Sequence, residues 1–246
     1  MKDIQATIEI DLNKSNEELW NNLDKDARWG VKKAIKSGLK VESDKNNALA
    51  WDKFYEIYKE TIIRGGITPK NIQELQQQTG RLFLCLKENT IIAGAAILIK
   101  QDKIELFLNA SLREHLTFQP NNLLYWKIIE WGKKNNYNIF NLGGYQLNTK
   151  KGDKLYEINR FKERWGGEIK KYYIDSKNPF YILGRKIIRN FSPVKKIRDK
   201  IKLLIYKIKS SYSSSKKPVS TPQKNTQNIS QYKTQEEKTK KVNKVL

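Results

Sequence analysis

Alternating and helical patterns of apolar residues divide the first half of the chain into strands and helices. Residues 6–12 alternate as a half-buried strand does, residues 13–38 have helical spacing that ends at a glycine, and residues 40–44 predict a short strand. Residues 51–66 predict a helix with one aromatic face, which two glycines stop, and residues 71–80 predict a shorter helix. This half therefore alternates strands with helices.

The second half adds most of the predicted sheet. Residues 81–111 read as three strands joined by two polar turns. A strong helix at 119–136 leads into a buried strand at 137–144, and a short helix at 158–167 precedes a last strand at 169–175. This order of elements predicts a mixed α/β sheet with helices packed on both faces.

The chain becomes strongly basic after residue 175. Residues 176–246 hold 19 Lys and Arg against 3 Asp and Glu, which is +16 of the formal charge of +22. Residues 176–209 are a basic amphipathic segment, in which Ser192 and Pro193 predict the start of a helix. Residues 210–246 are rich in Ser, Thr, Asn, Gln and Lys, which predicts a disordered tail.

Three interpretations of the amphipathic helix stay open. Its basic side chains surround one apolar stripe and are Lys195, Lys196, Arg198, Lys200, Lys202, Lys207 and Lys209. Such a helix can lie on an anionic membrane surface or bind RNA phosphates. It can equally dock on the preceding domain and leave its basic face in water.

Composition excludes several kinds of chemistry. The single cysteine, Cys85, lies in an apolar strand where a small buried thiol fits, and His115 is the only histidine. One histidine is too few for a histidine metal cluster and leaves little basis for a Ser/His/Asp relay. We therefore expect no metal and no resident cofactor. The N-terminus has no signal-peptide core and the apolar run at 89–99 is too short to cross a bilayer, so we expect a cytoplasmic chain.

A lysine lies beside the apolar stripe of the predicted helix at 158–167. Leu155, Ile158, Phe161 and Trp165 recur at helical spacing and predict one buried face, and Lys162 lies about 100° round from Phe161. The ammonium group is then at the edge of a core. Either its stem lies on apolar neighbours while the charge reaches water, or the charge is held in place for chemistry.

The order LFLNAS, LLYWKIIEWGKKNN, IFNLGG and RFKERWGG resembles the C-terminal half of the Fem-type aminoacyltransferases over about residues 7–175. That family has two acetyltransferase-like (GNAT) domains. The resemblance implies a GNAT-like transferase domain at 41–175, preceded at 1–40 by a linker-like remnant of a first domain. A partner chain supplying the missing first domain is compatible with this organisation.

Fem-type enzymes build the interpeptide bridge of peptidoglycan. The resemblance therefore implies transfer of an amino acid from aminoacyl-tRNA, the co-substrate, to an amine of a nucleotide- or lipid-linked peptidoglycan precursor at the inner face of the membrane. Phe161 and Lys162 match the family's Phe-Lys pair, whose lysine lies near the transferred group. A fixed ammonium can stabilise the negative charge that forms on the ester carbonyl when an amine attacks.

Four further residues are candidates for substrate binding. Arg64 ends a helix where the family carries a phosphate-contacting arginine, although the helix dipole alone favours a cation there. Gly143, Gly144 and Tyr145 follow a buried strand, where a missing Cβ suits either close approach of a ligand or a tight turn. We assign no general base among the glutamates.

Two other classes of function compete with aminoacyl transfer. The first is a coenzyme-A-dependent N-acyltransferase of the cell envelope on the same fold, which normally holds the pyrophosphate in a glycine-rich turn that opens a helix. The corresponding stretch, LREHLTFQPNN, has no glycine, which disfavours coenzyme A. The second is a non-catalytic module that binds a membrane surface or RNA.

Overall fold

The computed structural model describes residues 2–44, 48–175 and 200–208. Residues 1–206 form one compact unit and residues 207–246 a second, of which only 207 and 208 are described. The predicted disordered tail and most of the basic segment at 176–209 lie outside the described residues.

The described part of residues 1–175 contains seven strands and six α-helices. The strands are β1 (Lys2–Asp11), β2 (Lys40–Asp44), β3 (Arg81–Lys87), β4 (Thr90–Lys100), β5 (Lys103–Ser111), β6 (Ile139–Tyr145) and β7 (Glu168–Asp175). The helices are α1 (Asn16–Asn21), α2 (Lys25–Lys36), α3 (Ala48–Arg64), α4 (Ile72–Gln78), α5 (Pro120–Lys134) and α6 (Lys154–Glu163), with a 3-10 helix at Arg113–Phe118.

All seven strands belong to one sheet in the order β2-β3-β4-β5-β6-β1-β7. Every neighbouring pair is antiparallel except β5 and β6, which run parallel. Parallel neighbours need a crossover connection, and α5 provides it. The sheet is therefore mixed, as the order of elements predicts.

Alternate residues of the inner strands enter two separate cores. In β3, Phe83 and Cys85 belong to a cluster with α1, α2 and α5, whereas Leu82 and Leu84 belong to a cluster with α3 and α4. This alternation follows from the two-residue period of a strand. It confirms the prediction of helices on both faces, and it buries Cys85, which raises the pKa of its thiol to about 12.

The stretch predicted as one helix, residues 13–38, contains two helices. Ser15 and Glu18 form a capping box that starts α1. The carboxylate of Asp24 accepts from the backbone N–H of Asp26 at 2.8 Å and starts α2. Each cap satisfies backbone donors that a helix leaves open at its beginning, so the single-helix prediction was wrong at this junction.

Residues 1–40 are not a segment outside the domain. Strand β1 lies between β6 and β7, and Ile8 and Ile10 are fully buried in the larger core. The alternation of residues 6–12 fits this position, because one face of β1 supplies core side chains. The expected boundary at residue 40 therefore does not separate two structural units.

The described part of the basic segment is helical. Residues 200–208 form helix, and Ile201, Leu204, Ile205 and Ile208 on the predicted apolar stripe are exposed. Lys200, Lys202 and Lys207 belong to this helix, whereas Lys195, Lys196, Arg198 and Lys209 lie outside the described residues. Among the helices that the structure describes, none has the length and apolar character to cross a bilayer.

Replacement of Gly30 by alanine tests how closely α2 packs on α5. A Cβ atom at Gly30 would lie 2.1 Å from Nδ2 of Asn122, whose side chain is buried. We expect Gly30→Ala to lower the free energy of unfolding by about 1–3 kcal/mol in urea denaturation, despite the better helix propensity of alanine. Ile35→Ala on the exposed face of α2 is the control and should change it by less than about 0.5 kcal/mol. A Gly30→Ala protein as stable as the wild type would contradict this packing.

Candidate functional site

Strands β5 and β6 pair over only part of their length, and we call the place where they separate the cleft. Strands β5 and β6 pair only from Lys103 with Ile139 to Glu105 with Asn141. Beyond that point β5 continues to pair with β4, and β6 continues to pair with β1. The residues of β5 that follow, Leu106–Asn109, are only partly buried although β5 is an inner strand. Their exposure is what a gap in the sheet produces.

A bulge in each strand accompanies the divergence. In β5, Leu106 and Leu108 pair with consecutive residues of β4, so Phe107 is an extra residue. In β6, two residues, Leu142 and Gly143, lie opposite the single residue Ile8 of β1. A bulge bends a strand and increases its twist, so the two bulges together turn β5 and β6 apart.

Gly143 is required by this backbone geometry. Its φ of +74° is in the left-handed region that favours glycine, and a Cβ there would lie 3.2 Å from the carbonyl oxygen of Leu106. The side chain of Asn141 accepts from the N–H of Gly143 at 2.7 Å, and the hydroxyl of Thr7 lies 3.0 Å from its carbonyl oxygen. The backbone geometry therefore requires a glycine at position 143, which also lies at the cleft.

The ammonium group of Lys162 is held at the wall of the cleft. Its Nζ donates to the carbonyl oxygen of Gly144 at 2.8 Å and lies 3.8 Å from the place where a Cβ of Gly143 would be. The side chain is half-buried, and burial lowers the pKa of Lys162 to about 8. The structure thus brings three sequence candidates together, Lys162 with Gly143 and Gly144.

Aromatic packing fixes the end of α6 that carries this lysine. The ring of Phe161 meets that of Tyr125 edge to face at 5.1 Å between centroids, and Trp165 lies 5.2 Å from the same tyrosine. Trp165 is fully buried in the larger core. Phe161 therefore orients the helix beside Lys162.

The buried face of α6 differs from the one predicted. Leu155 and Ile158 are exposed, at 45% and 41%, whereas Asn159 is only 2% exposed. The carboxamide of Asn159 accepts from the N–H of Gln146 at 3.1 Å and donates to its carbonyl oxygen at 2.7 Å. These two bonds satisfy backbone groups of the loop after β6, which explains why a polar residue faces inward.

Sequence reasoning missed Asn159, Asn141 and Thr7. Asn159 ties the loop after β6 to α6, while Asn141 and Thr7 hold the bulge at Gly143. The one available signal was an asparagine inside a helix, where its intrinsic propensity is poor and a specific bond is the usual reason for its presence.

Tyr145 and Arg64 are held by other contacts. The hydroxyl of Tyr145 donates to Glu163 at 2.7 Å, and this bond raises the pKa of Tyr145. The guanidinium of Arg64 donates to the carboxylate of Glu60 at 2.7 Å. It also donates to the carbonyl oxygen of Ser111 at 3.4 Å, and Ser111 ends β5. Both residues thus tie neighbouring elements together next to the cleft strands.

Helix α6 connects the region of Arg64 with that of Lys162. The Nζ of Lys154, at the start of α6, lies 3.3 Å from the place where a Cβ of Gly65 would be. The rise from Lys154 to Lys162 is about 12 Å. Arg64 is therefore near the far end of α6 and does not share the immediate surroundings of Lys162.

No group of three or more His, Cys, Asp and Glu side chains in the described ranges is arranged to hold a metal ion. The titratable group whose pKa is most clearly changed in the cleft is Lys162. The described site places the ammonium group of Lys162 beside the carbonyl oxygen of Gly144.

Replacement of Asn159 tests its two hydrogen bonds to the loop after β6. Asn159→Leu removes both bonds to Gln146 and leaves two backbone groups without partners, so we expect the free energy of unfolding to fall by about 2–4 kcal/mol in urea denaturation. The neighbouring Ile158→Ala is the matched control and should cost less than about 0.5 kcal/mol, because Ile158 is exposed. Equal effects of the two substitutions would contradict the observed orientation of α6.

The FemAB family matches residues 1–79. FemX has the same fold at a TM-score of 0.60 and 18% identity, over 72% of this chain and 63% of that chain. No curated protein matches the chain significantly in sequence.

Two further structures share the fold. They are the C-terminal domain of a putative lysylphosphatidylglycerol synthetase from Agrobacterium fabrum, at a TM-score of 0.56, and L-PGS from Bacillus licheniformis, at 0.55. Each is 13% identical to this chain, and each match covers 76% of this chain and 66% of the other. This chain thus spans less than two thirds of all three structures. The FemAB family thus matches the first third of the sequence, and the mixed α/β fold of the chain is similar to that of FemX.

Proposed function

We propose that the chain transfers an amino acid from aminoacyl-tRNA to an amine of a peptidoglycan precursor peptide. The observation that carries the proposal is the ammonium group of Lys162, held 2.8 Å from the carbonyl oxygen of Gly144 where β5 and β6 diverge. The FemAB match and the fold of FemX support the reaction class. The names of the two synthetase structures agree with an aminoacyl-transfer chemistry.

The reaction needs a cation where the carbonyl oxygen of the ester becomes negative. The neutral acceptor amine attacks the ester carbon, and the electron pair of the C=O bond moves to oxygen. The ammonium of Lys162 stabilises that oxyanion. The bond between the nitrogen and the ester carbon forms in this attack. When the adduct collapses, the C=O bond forms again, the bond to the 3′ oxygen of the ribose breaks, and the amine proton passes to that oxygen. A preorganised donor of this kind is commonly worth about 3–4 kcal/mol.

The beginning of α5 disfavours coenzyme A as the donor. A pyrophosphate is normally held by free N–H groups at a helix N-terminus. Pro120, the first residue of α5, has no N–H, and the N–H groups of Asn122 and Leu123 both donate to the carbonyl oxygen of Gln119, at 3.1 and 3.4 Å. Three of the first four residues of α5 thus have no free N–H group for a phosphate.

The remaining candidates have roles that follow from their positions. Arg64, the last residue of α3, is proposed to contact acceptor phosphate with the donor groups that its bonds to Glu60 and Ser111 leave unused. The basic segment, of which Lys200, Lys202 and Lys207 are described, is proposed to bring the chain to an anionic membrane surface where lipid-linked precursors reside. A partner chain is proposed to complete the acceptor pocket.

Substitution of Lys162 tests the catalytic assignment. We expect Lys162→Met to lower kcat for transfer from charged tRNA by about 100- to 1,000-fold. The same change should raise the free energy of unfolding by about 1 kcal/mol at pH 7, because the lowered pKa means that folding disfavours the charged form. This gain is full below pH 8 and disappears as the pH approaches 10.5, the ordinary value for lysine.

The donors are compared in the same assay. Transfer from acyl-coenzyme A alone would replace the proposed donor with a thioester, and no transfer from either donor would indicate a non-catalytic module. Full activity of Lys162→Met would contradict the role of the lysine.

The pH profile provides a separate test. The acceptor amine must be neutral, so kcat/KM first rises with pH, but Lys162 must be charged, so it should fall above about pH 8. Lys162→Arg stays charged, and its falling limb should move up by more than one pH unit even if its rate is lower. A wild-type profile that keeps rising through pH 9 would contradict a cationic role and favour the neutral amine as a base.

A further inference from the structure

The outer face of α2 carries an exposed tryptophan between lysines. Trp29 is 56% exposed, which is unusual for the largest aromatic side chain. Lys25, Lys32 and Lys36 are exposed on the same helix at offsets of −4, +3 and +7 from Trp29. These offsets put all four on one side of the helix, along a line of about 16 Å. We call these four residues the α2 stripe.

Cations lie over the indole rings at this surface. Nζ of Lys33 is 4.8 Å from the ring centroid of Trp29, and Nζ of Lys32 is 5.9 Å from that of Trp20. Trp20 itself packs edge to face on Trp126 at 4.9 Å and is partly buried. The surface therefore alternates π faces with positive charges at contact distance.

The inner face of α2 makes the stripe a rigid platform. Ala27, Val31 and Ala34 are fully buried, and Gly30 packs directly on Asn122 of α5. The exposure of Trp29 thus belongs to a well-packed helix whose apolar face is already used in the core. Only Ile35 adds a large exposed apolar side chain on this helix.

The charge of the surface is strongly positive. Helix α2 has five basic residues and one acidic residue. The acidic one, Asp26, faces Arg164 at 3.3 Å, and Arg28 is occupied by the carbonyl oxygens of Asn21 and Leu23. The four lysines are thus left to attract an anionic partner.

The stripe begins next to the end of α6. The N–H of Asp24, the N-cap of α2, donates to the carbonyl oxygen of Arg164 at 2.9 Å. Gly166 packs against the backbone of Asn22, where an added Cβ would come within 2.5 Å. Because Arg164 follows Lys162 by two residues, the platform starts within about two helical turns of the candidate site.

We propose that the α2 stripe binds unpaired RNA, with a base stacked on Trp29 and phosphates on Lys25, Lys32 and Lys36. Aromatic faces with interleaved cations are the usual way to hold single strands without reading their sequence. The choice of RNA rests on the proposed function, because a charged tRNA reaches the cleft through its single-stranded acceptor end. A membrane fits less well, since an interfacial helix buries a broad apolar face and that face of α2 is in the core.

Binding of a short RNA to the full chain tests the proposal without any transfer reaction. The probe is a fluorescein-labelled single-stranded RNA of about 12 nucleotides, followed by anisotropy from about 50 to 200 mM salt. Trp29→Ala should raise Kd by roughly 5- to 100-fold, the loss of one stacked base, while Trp29→Phe keeps most of the affinity. Lys32→Ala/Lys36→Ala should reduce the slope of log K against log salt by about 1.4.

The controls match the charge and the ring that are removed. Lys53→Ala/Lys103→Ala takes away two exposed lysines, one of them on α3 across the sheet, and Tyr172→Ala removes an exposed ring on β7. Both should bind RNA within about twofold of the wild type. RNA should also quench tryptophan fluorescence in the wild type and less in Trp29→Phe, a signature of stacking that loss of structure does not give.

Three results would overturn the proposal. The first is an equal loss of RNA affinity in the Lys32→Ala/Lys36→Ala pair and in the control lysine pair. The second is an unchanged Kd for RNA in Trp29→Ala. The third is binding of anionic vesicles, but not of RNA, that depends on Trp29. Failure of transfer with RNA binding through the stripe intact would refute the proposed function alone. Transfer from charged tRNA with no effect of the stripe variants would refute the stripe alone.

Discussion

The site depends on the separation of two parallel strands inside a continuous sheet. An inner strand normally satisfies its backbone groups on both sides, but β5 and β6 stop pairing after Glu105 and Asn141. The bulges at Phe107 and Gly143 maintain the gap, and each strand keeps its other neighbour, so the sheet stays intact. The carbonyl oxygen of Gly144 is thereby available to a side chain from outside the sheet, and Lys162 bonds it.

Holding a lysine in this gap works against folding. Burial lowers the pKa of Lys162 to about 8, so at neutral pH the charged form is less favourable in the folded chain than in the unfolded one. The surrounding structure compensates with the packing of Phe161 and Trp165 on Tyr125 and with the bonds of Asn159 to Gln146. The proposed transfer relies on a cation of this kind, held in place by the fold.

Much of the fold could be predicted because periodicity reports burial. The strands, the long helices α3 and α5, and the mixed sheet follow from residues that alternate or recur at helical spacing. The break between α1 and α2 was missed although Ser15, Glu18 and Asp24 are good capping residues, since the apolar spacing runs on across it.

The orientation of α6 was mispredicted because Leu155 and Ile158 look like core residues, whereas partners distant in sequence decide that Asn159 is buried. Lys162 was singled out correctly as lying at the edge of a core, but its carbonyl partner depends on a bulge that no local pattern reveals.

The most direct measurement is the titration of Lys162 in the folded protein, followed by NMR of its Cε and Nζ and assigned by the loss of the signal in Lys162→Arg. We expect a midpoint near pH 8, as for an ammonium group held in a poorly hydrated gap. A midpoint close to 10.5, the ordinary value for lysine, would mean that the charge is in bulk water and would contradict the central claim.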